Sequence, residues 1–220
     1  MTTAREADLL VELAAGDGAP TLLLHPAGGG IGPYFGIAAE LAARGPVRAI
    51  RAAGLLPGEV PDDDLTAMAD RYAALVDQPP ALLFGWSMGG VLAWELAARF
   101  AERGARPAVV MVDSTADPEP VDDRLREKVV ASSGFTPTAA DRERVAAVTD
   151  AHLRAVDRHR VRARYDGPAL LVRCPDNTDT RWPELAPRLW TRRLDCGHFD
   201  VFAPDHLPTL VAHTKEFLDD

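Results

Sequence analysis

Short apolar runs alternate along the chain with longer segments in which apolar residues recur every three or four positions. That is the pattern of buried strands separated by helices. The runs fall at 9–13, 21–25, 47–50, 82–86, 108–113 and 168–174, and a last, more polar strand is read at 189–195. Helical spacing covers about 33–44, 62–76, 88–103, 122–132, 139–159 and 207–218. Continuous rather than alternating apolar strands point to a mostly parallel sheet covered on both faces. The alternation breaks once, at about 116–166, where two helical segments follow each other; this stretch reads as an inserted helical lid.

Several local patterns refine these elements. The acidic run Asp62-Asp-Asp64 marks a helix start, because carboxylates favour a helix N-terminus, and Leu65, Met68, Tyr72, Leu75 and Val76 then form one apolar face. A metal site at that run is the poorer reading. The segment at 88–103 is apolar nearly all round, apart from a stripe of Glu95, Arg99, Glu102 and Arg103, as in a largely buried helix. In the second lid helix, Val145, Val148, His152, Leu153, Val156 and His159 line one face, and both histidines are expected to pack against the body of the domain.

Composition narrows the class. A chain of 220 residues with 47% hydrophobic and 26% charged residues is read as one folded domain, spanning 1–220. The net charge of −9, with basic residues scattered, speaks against nucleic-acid or anionic-membrane partners. No apolar run approaches the roughly 20 residues that span a bilayer. The two cysteines, Cys174 and Cys196, match no metal-ligand spacing and read as inert small hydrophobes, and the N-terminus lacks the apolar stretch of a signal peptide. A cytoplasmic protein is expected.

The chemistry gathers at the ends of the apolar runs. Leu82-Leu-Phe-Gly-Trp-Ser-Met-Gly-Gly90 leads a strand into a helix through Gly85-x-Ser87-x-Gly89. A sharp turn of this kind lifts a serine hydroxyl clear of the sheet, and small residues on either side are needed where strand and helix come closest. Ser87 is the candidate nucleophile, and the N–H of Met88 at the helix N-terminus is a candidate oxyanion donor. The glycine-rich loop Pro26-Ala-Gly-Gly-Gly30 follows another strand, which makes the Ala27 N–H the second candidate donor; it has neither G-x-G-x-x-G nor Gly-Lys-Ser/Thr, so a nucleotide site is not expected. His25 reads as a hydrogen-bonded loop histidine that shapes this turn. His198, on the loop after the last strand, is the candidate base. Two positions compete for the acid that orients it: Asp113 at the tip of an apolar strand, and the pair Asp176 and Asp179 in a loop that looks solvated and mobile. With Asp113 the chain order is Ser…Asp…His.

Taken together, His25-Pro-Ala-Gly-Gly29, Arg51-Ala-Ala-Gly-Leu55, Gly85-Trp-Ser-Met-Gly-Gly90, Val112-Asp-Ser114 and Gly197-His-Phe199 resemble the α/β-hydrolase thioesterase domains of nonribosomal peptide synthetase and polyketide synthase assembly lines. The resemblance covers about residues 8 to 218 and implies a sheet of about seven strands. It implies Ser87 as nucleophile, His198 as general base and acid, Asp113 as its orienter, and the N–H groups of Ala27 and Met88 as oxyanion hole. It further implies a substrate held as a thioester on the phosphopantetheine of an acyl or peptidyl carrier protein, with no cofactor or metal of the chain's own. The chain is shorter than those domains in the lid region, and the loop at 51–55 lacks the glutamine and proline often found there. Three readings stay open: a thioesterase that releases the finished chain by hydrolysis or cyclisation, a stand-alone editing thioesterase that clears stalled acyl groups, and a non-catalytic partner that docks a carrier protein. Editing enzymes more often carry histidine than the Trp86 found here before the serine, and place the acid after the later strand.

Overall fold

In the computed structural model, which describes residues 9–117, 121–133 and 138–220, seven strands form one sheet. They are β1 (Leu10–Ala14), β2 (Thr21–Leu24), β3 (Val47–Ile50), β4 (Leu82–Trp86), β5 (Ala108–Val112), β6 (Ala169–Arg173) and β7 (Leu189–Arg193), in the order β1-β3-β2-β4-β5-β6-β7. Only β1 runs antiparallel to its neighbour, with a register shift between Glu12 and Ala14. The other pairs are parallel.

The helices are α1 (Phe35–Leu41, flanked by 3-10 turns), α2 (Leu65–Ala74), α3 (Met88–Glu102), α4 (Asp123–Ser132), α5 (Ala139–Arg158), the four-residue α6 (Trp182–Leu185) and α7 (Leu207–Asp219). Their starts follow the capping chemistry of the sequence. Asp64 caps α2 by accepting from Ala67 N–H at 2.7 Å, and Asp122 caps α4 by accepting from Leu125 N–H at 2.7 Å. Thr138 and Asp141 form a reciprocal capping box at the head of α5. The Asp62–Asp64 run therefore starts a helix, with Asp62 paired to Arg71. The segment α6 was not foreseen, because four residues carry no periodicity. The linker 134–137 between the two lid helices lies outside the described residues, as does 118–120.

The sheet has two covered faces because successive side chains of a strand point to opposite sides. Leu22, Leu24, Leu83, Val109, Met111 and Leu171 pack with α2 and α3 on one face. Leu23, Phe84, Val110, Val112, Leu170 and Val172 pack with α1 and α7 on the other. Trp94, fully buried in α3, also donates its indole N–H to Ala163 O at 2.9 Å, fixing the chain that returns from α5. Among the described residues no helix is long and apolar enough to cross a membrane.

The sheet order also fixes where a site can form. From β2 the chain moves outward to β3 and then returns to β4 on the other side, so the direction of strand addition reverses between β2 and β4. In open parallel sheets the loops at such a reversal diverge and leave a crevice at the carboxyl ends. Ala27 follows β2 and Ser87 follows β4, one on each side of that crevice.

Candidate active site

Ser87 and Asp113 are the two non-glycine residues with positive φ among the described residues, at 57° and 48°. Backbone held in such regions costs about 1–3 kcal/mol and persists only where its surroundings impose it. At Ser87 the surroundings are visible. Its N–H donates to Val112 O at 2.9 Å, and Gly90 N–H donates to Ser87 O at 3.0 Å. A Cβ on Gly85 would stand 2.0 Å from Gly89 O, and one on Gly89 would stand 2.2 Å from Leu24 O. Both glycines are thus demanded by the approach of β4, α3 and β2. Tyr34, which the sequence did not single out, ties the same strand ends together. Its hydroxyl donates to Leu24 O at 2.6 Å and accepts from Trp86 N–H at 3.0 Å.

Asp113 is held as firmly. Its N–H donates to Val172 O at 2.7 Å, and its Oδ1 accepts from Cys174 N–H at 2.9 Å. The second oxygen, Oδ2, lies 2.7 Å from His198 Nδ1. Burial pushes this carboxyl up, but the hydrogen bonds from His198 and Cys174 outweigh it and hold Asp113 below the usual carboxylate range. An ionised carboxylate only accepts, so Nδ1 of His198 carries hydrogen and Nε2 is left as the proton-accepting nitrogen. The imidazole is packed against Trp86, ring centroids 5.2 Å apart, and edge-on to Phe199 at 4.9 Å. Its side chain is 30% exposed against 5% for Asp113, so the pair has a buried and an open end.

The competing acids are placed differently. Asp179 accepts hydrogen bonds from the N–H groups of Ala116 and Arg181. Its loop is also tied by Arg173 to Asn177 O. Asp176 is exposed. The structure therefore brings Asp113, and neither of these, to His198.

Ser87, His198, Asp113, Ala27 and Met88 line one cavity of about 630 Å³. Its apolar lining comes from Val91 of α3, Leu125 and Val129 of α4, and Leu153 and Val156 of α5; Asp176, Thr178 and Arg181 also line it. The two lid helices thus contribute one wall of the cavity that holds Ser87. No group of three His, Cys, Asp or Glu side chains is arranged to hold a metal ion among the described residues.

Cys174 and Cys196, distant in sequence, meet at the ends of β6 and β7 with sulfurs 4.0 Å apart. Burial raises both thiols above their ordinary range, which suits small hydrophobes better than nucleophiles.

Beneath the glycine loop lie two buried histidines. His25, as expected, shapes the turn: its Nδ1 lies 3.0 Å from Pro26 O and its Nε2 2.7 Å from the Tyr72 hydroxyl. His152 of α5 does more than pack, because its Nδ1 lies 2.6 Å from Ala27 O while its ring stacks on His25 at 5.0 Å. Burial lowers His25 to about 3, aided by His152 and Arg71 against the Pro26 carbonyl; burial lowers His152 to about 4 against the Ala27 carbonyl. Both are neutral in the fold, whereas the unfolded chain protonates them near pH 6.5. The unfolded state then binds more protons between about pH 6.5 and 4, so stability is lost as pH falls through that window. We expect a loss of about 2 kcal/mol per histidine by pH 5. Urea midpoints at pH 7.5 and 5 test this: His152→Asn should lose less than the wild type, and an equal loss would contradict the assignment.

The sheet order and the strained turn at Ser87 define an α/β-hydrolase fold. The chain belongs to the thioesterase domain family, whose model matches residues 20–218. It is 24% identical over 226 residues to the vanchrobactin synthetase VabF of Vibrio anguillarum, covering 90% of this chain and 8% of that protein. It is 32% identical over 223 residues to the polyketide synthase GfsE of Streptomyces halstedii, covering 92% of this chain and 6% of that one. The chain therefore spans less than a tenth of these relatives. Among solved structures, the NocB thioesterase domain from the nocardicin cluster, in covalent complex with a fluorophosphonate nocardicin G analog, superposes with a TM-score of 0.77 at 23% identity, covering 93% of this chain and 96% of that one. The chain is thus a thioesterase domain, similar over most of its length to short portions of a nonribosomal peptide synthetase and a polyketide synthase.

Proposed function

We propose that this domain releases an acyl, peptidyl or polyketide chain from the phosphopantetheine thioester of a carrier protein through an acyl-enzyme on Ser87. The observation that carries the reading is the 2.7 Å contact of His198 Nδ1 with Asp113 Oδ2, both of which line the same cavity as Ser87. His198 Nε2 takes the hydroxyl proton as Ser87 Oγ attacks the thioester carbonyl, and the N–H groups of Ala27 and Met88 receive the developing oxyanion. The C–S bond breaks, and the imidazolium returns its proton to the departing pantetheine sulfur. Water, or a nucleophile within the acyl chain, then attacks the Ser87 ester by the same route, and the serine hydroxyl is restored.

Chain release is favoured over editing by the position of the acid. Resemblance places the acid of editing thioesterases after the later strand, which here ends in the exposed Asp176 and in Asp179, engaged with backbone N–H groups. The wall from Leu125 to Val156 suits an extended apolar portion of substrate. The test offers the same acyl group on a carrier protein and on coenzyme A. Release from the carrier should show the higher kcat/KM, since carrier contacts add binding that coenzyme A lacks; equal values, or release from coenzyme A alone, would overturn the carrier-bound substrate.

A further inference from the structure

We infer that His152, on a lid helix, is a positioning residue of the oxyanion hole: it donates from Nδ1 to the Ala27 carbonyl and so holds the Ala27 backbone in its donating orientation. The inference rests on the reading of Ala27 as an oxyanion donor. The contact is 2.6 Å long and joins residues 125 positions apart. A carbonyl only accepts, so Nδ1 carries the hydrogen and Nε2 must be bare. That Nε2 is buried and has no hydrogen-bond partner.

A leucine would fill such a site without burying a polar nitrogen, whose unmet hydrogen bond is costly. The gain that offsets the cost is the bond to Ala27. The loop needs it. Between Pro26 and Gly30 its own backbone ties are Gly29 N–H to Pro26 O at 2.8 Å and Ala52 N–H to Gly29 O at 3.0 Å, neither of which holds the Ala27 carbonyl. An oxyanion donor is effective when it is fixed before charge develops. Two neighbouring peptides are in fact gripped from below. His25 binds the Pro26 carbonyl, which in a trans peptide points away from the Ala27 N–H, and His152 binds the next carbonyl along. Stacking of the two rings, at 16° between planes, makes them one unit, steadied by Tyr72. The lid also rests on the loop elsewhere: a Cβ on Gly29 would meet Val148 at 2.9 Å, and one on Gly28 would meet Ser133 Oγ at 2.0 Å. The position of α5 and the competence of the oxyanion loop are therefore linked.

The amide nitrogen of asparagine reaches roughly where Nδ1 stands, and that of glutamine where Nε2 stands. His152→Asn should keep kcat within about threefold of wild type, while His152→Gln should lower kcat on the order of 10²-fold, with KM nearly unchanged, as for a lost oxyanion donor. Fluorophosphonate labelling of Ser87 should slow in the same order. Asparagine and glutamine variants that behave alike, or a glutamine variant that changes KM only, would overturn the inference. Nitrogen-15 spectra of the wild-type imidazole give a check independent of any variant: His152 should be the neutral Nδ1–H tautomer, and an Nε2–H tautomer would overturn it. Wild-type protein that neither labels nor releases acyl groups would instead overturn the hydrolase reading itself.

Discussion

Ser87→Ala is expected to lower acyl release on the order of 10⁶-fold, the scale on which loss of a triad nucleophile removes covalent catalysis. The size of the effect follows from what remains. The variant keeps the cavity, the oxyanion N–H groups and the His198–Asp113 pair, but no atom that can form the acyl-enzyme. Residual rate would come from water attacking a bound, polarised thioester, worth about 10³–10⁴ over the uncatalysed reaction in comparable sites. The fold should survive, because the Ser87 hydroxyl contributes no cap to α3 and the backbone tie to Val112 is kept. Steady-state release with circular dichroism of both proteins measures this; a variant within tenfold of wild type would contradict the nucleophile.

Asp113→Asn is expected to lower turnover about 10⁴-fold, while Asp176→Asn and Asp179→Asn change it modestly. An amide at position 113 preserves shape but turns one acceptor into a donor. Oδ1 already accepts from the Cys174 N–H, so the amide nitrogen would face His198 and favour the wrong tautomer. The imidazolium formed during attack would also lose its counter-charge. Asp113 is held below the usual carboxylate range by these partners despite burial, so the charge is present throughout the neutral range. Asp179→Asn has a different expected signature: it loosens the caps on Ala116 and Arg181 and lowers thermal stability more than kcat. Kinetics of the three variants separate the cases, and a large kcat loss at Asp176 or Asp179 with Asp113→Asn still active would favour the editing class.

Much of this geometry was legible in the sequence because each cue acts locally. Apolar runs gave the inner strands, since a strand buried on both faces needs nothing else to declare it, while the edge strands β1 and β7 are only partly buried. Gly85-x-Ser87-x-Gly89 announced a turn that the backbone then adopts at φ 57°. Asp113 was favoured over Asp176 and Asp179 because a rigid apolar strand precedes it, and its carboxylate is the one that meets His198. What escaped depends on contacts between distant segments. The bond from His152 to Ala27 joins a lid helix to a loop on the far side of the sheet reversal, and helical spacing alone showed only that His152 would be buried. Tyr34 binding Leu24 and Trp86 is similarly invisible until α1 is laid over the strand ends. The meeting of Cys174 and Cys196 follows from the pairing of β6 with β7, which spacing along the chain does not encode.

The central claim is an activated Ser87, and the most direct measurement is intact-protein and peptide mass spectrometry after brief exposure to a fluorophosphonate. A single phosphonyl group should be found on wild-type protein, on the peptide containing Ser87, with Ser87→Ala unmodified under the same conditions. An unmodified wild type, or equal modification of the Ser87→Ala protein at another residue, would contradict the account.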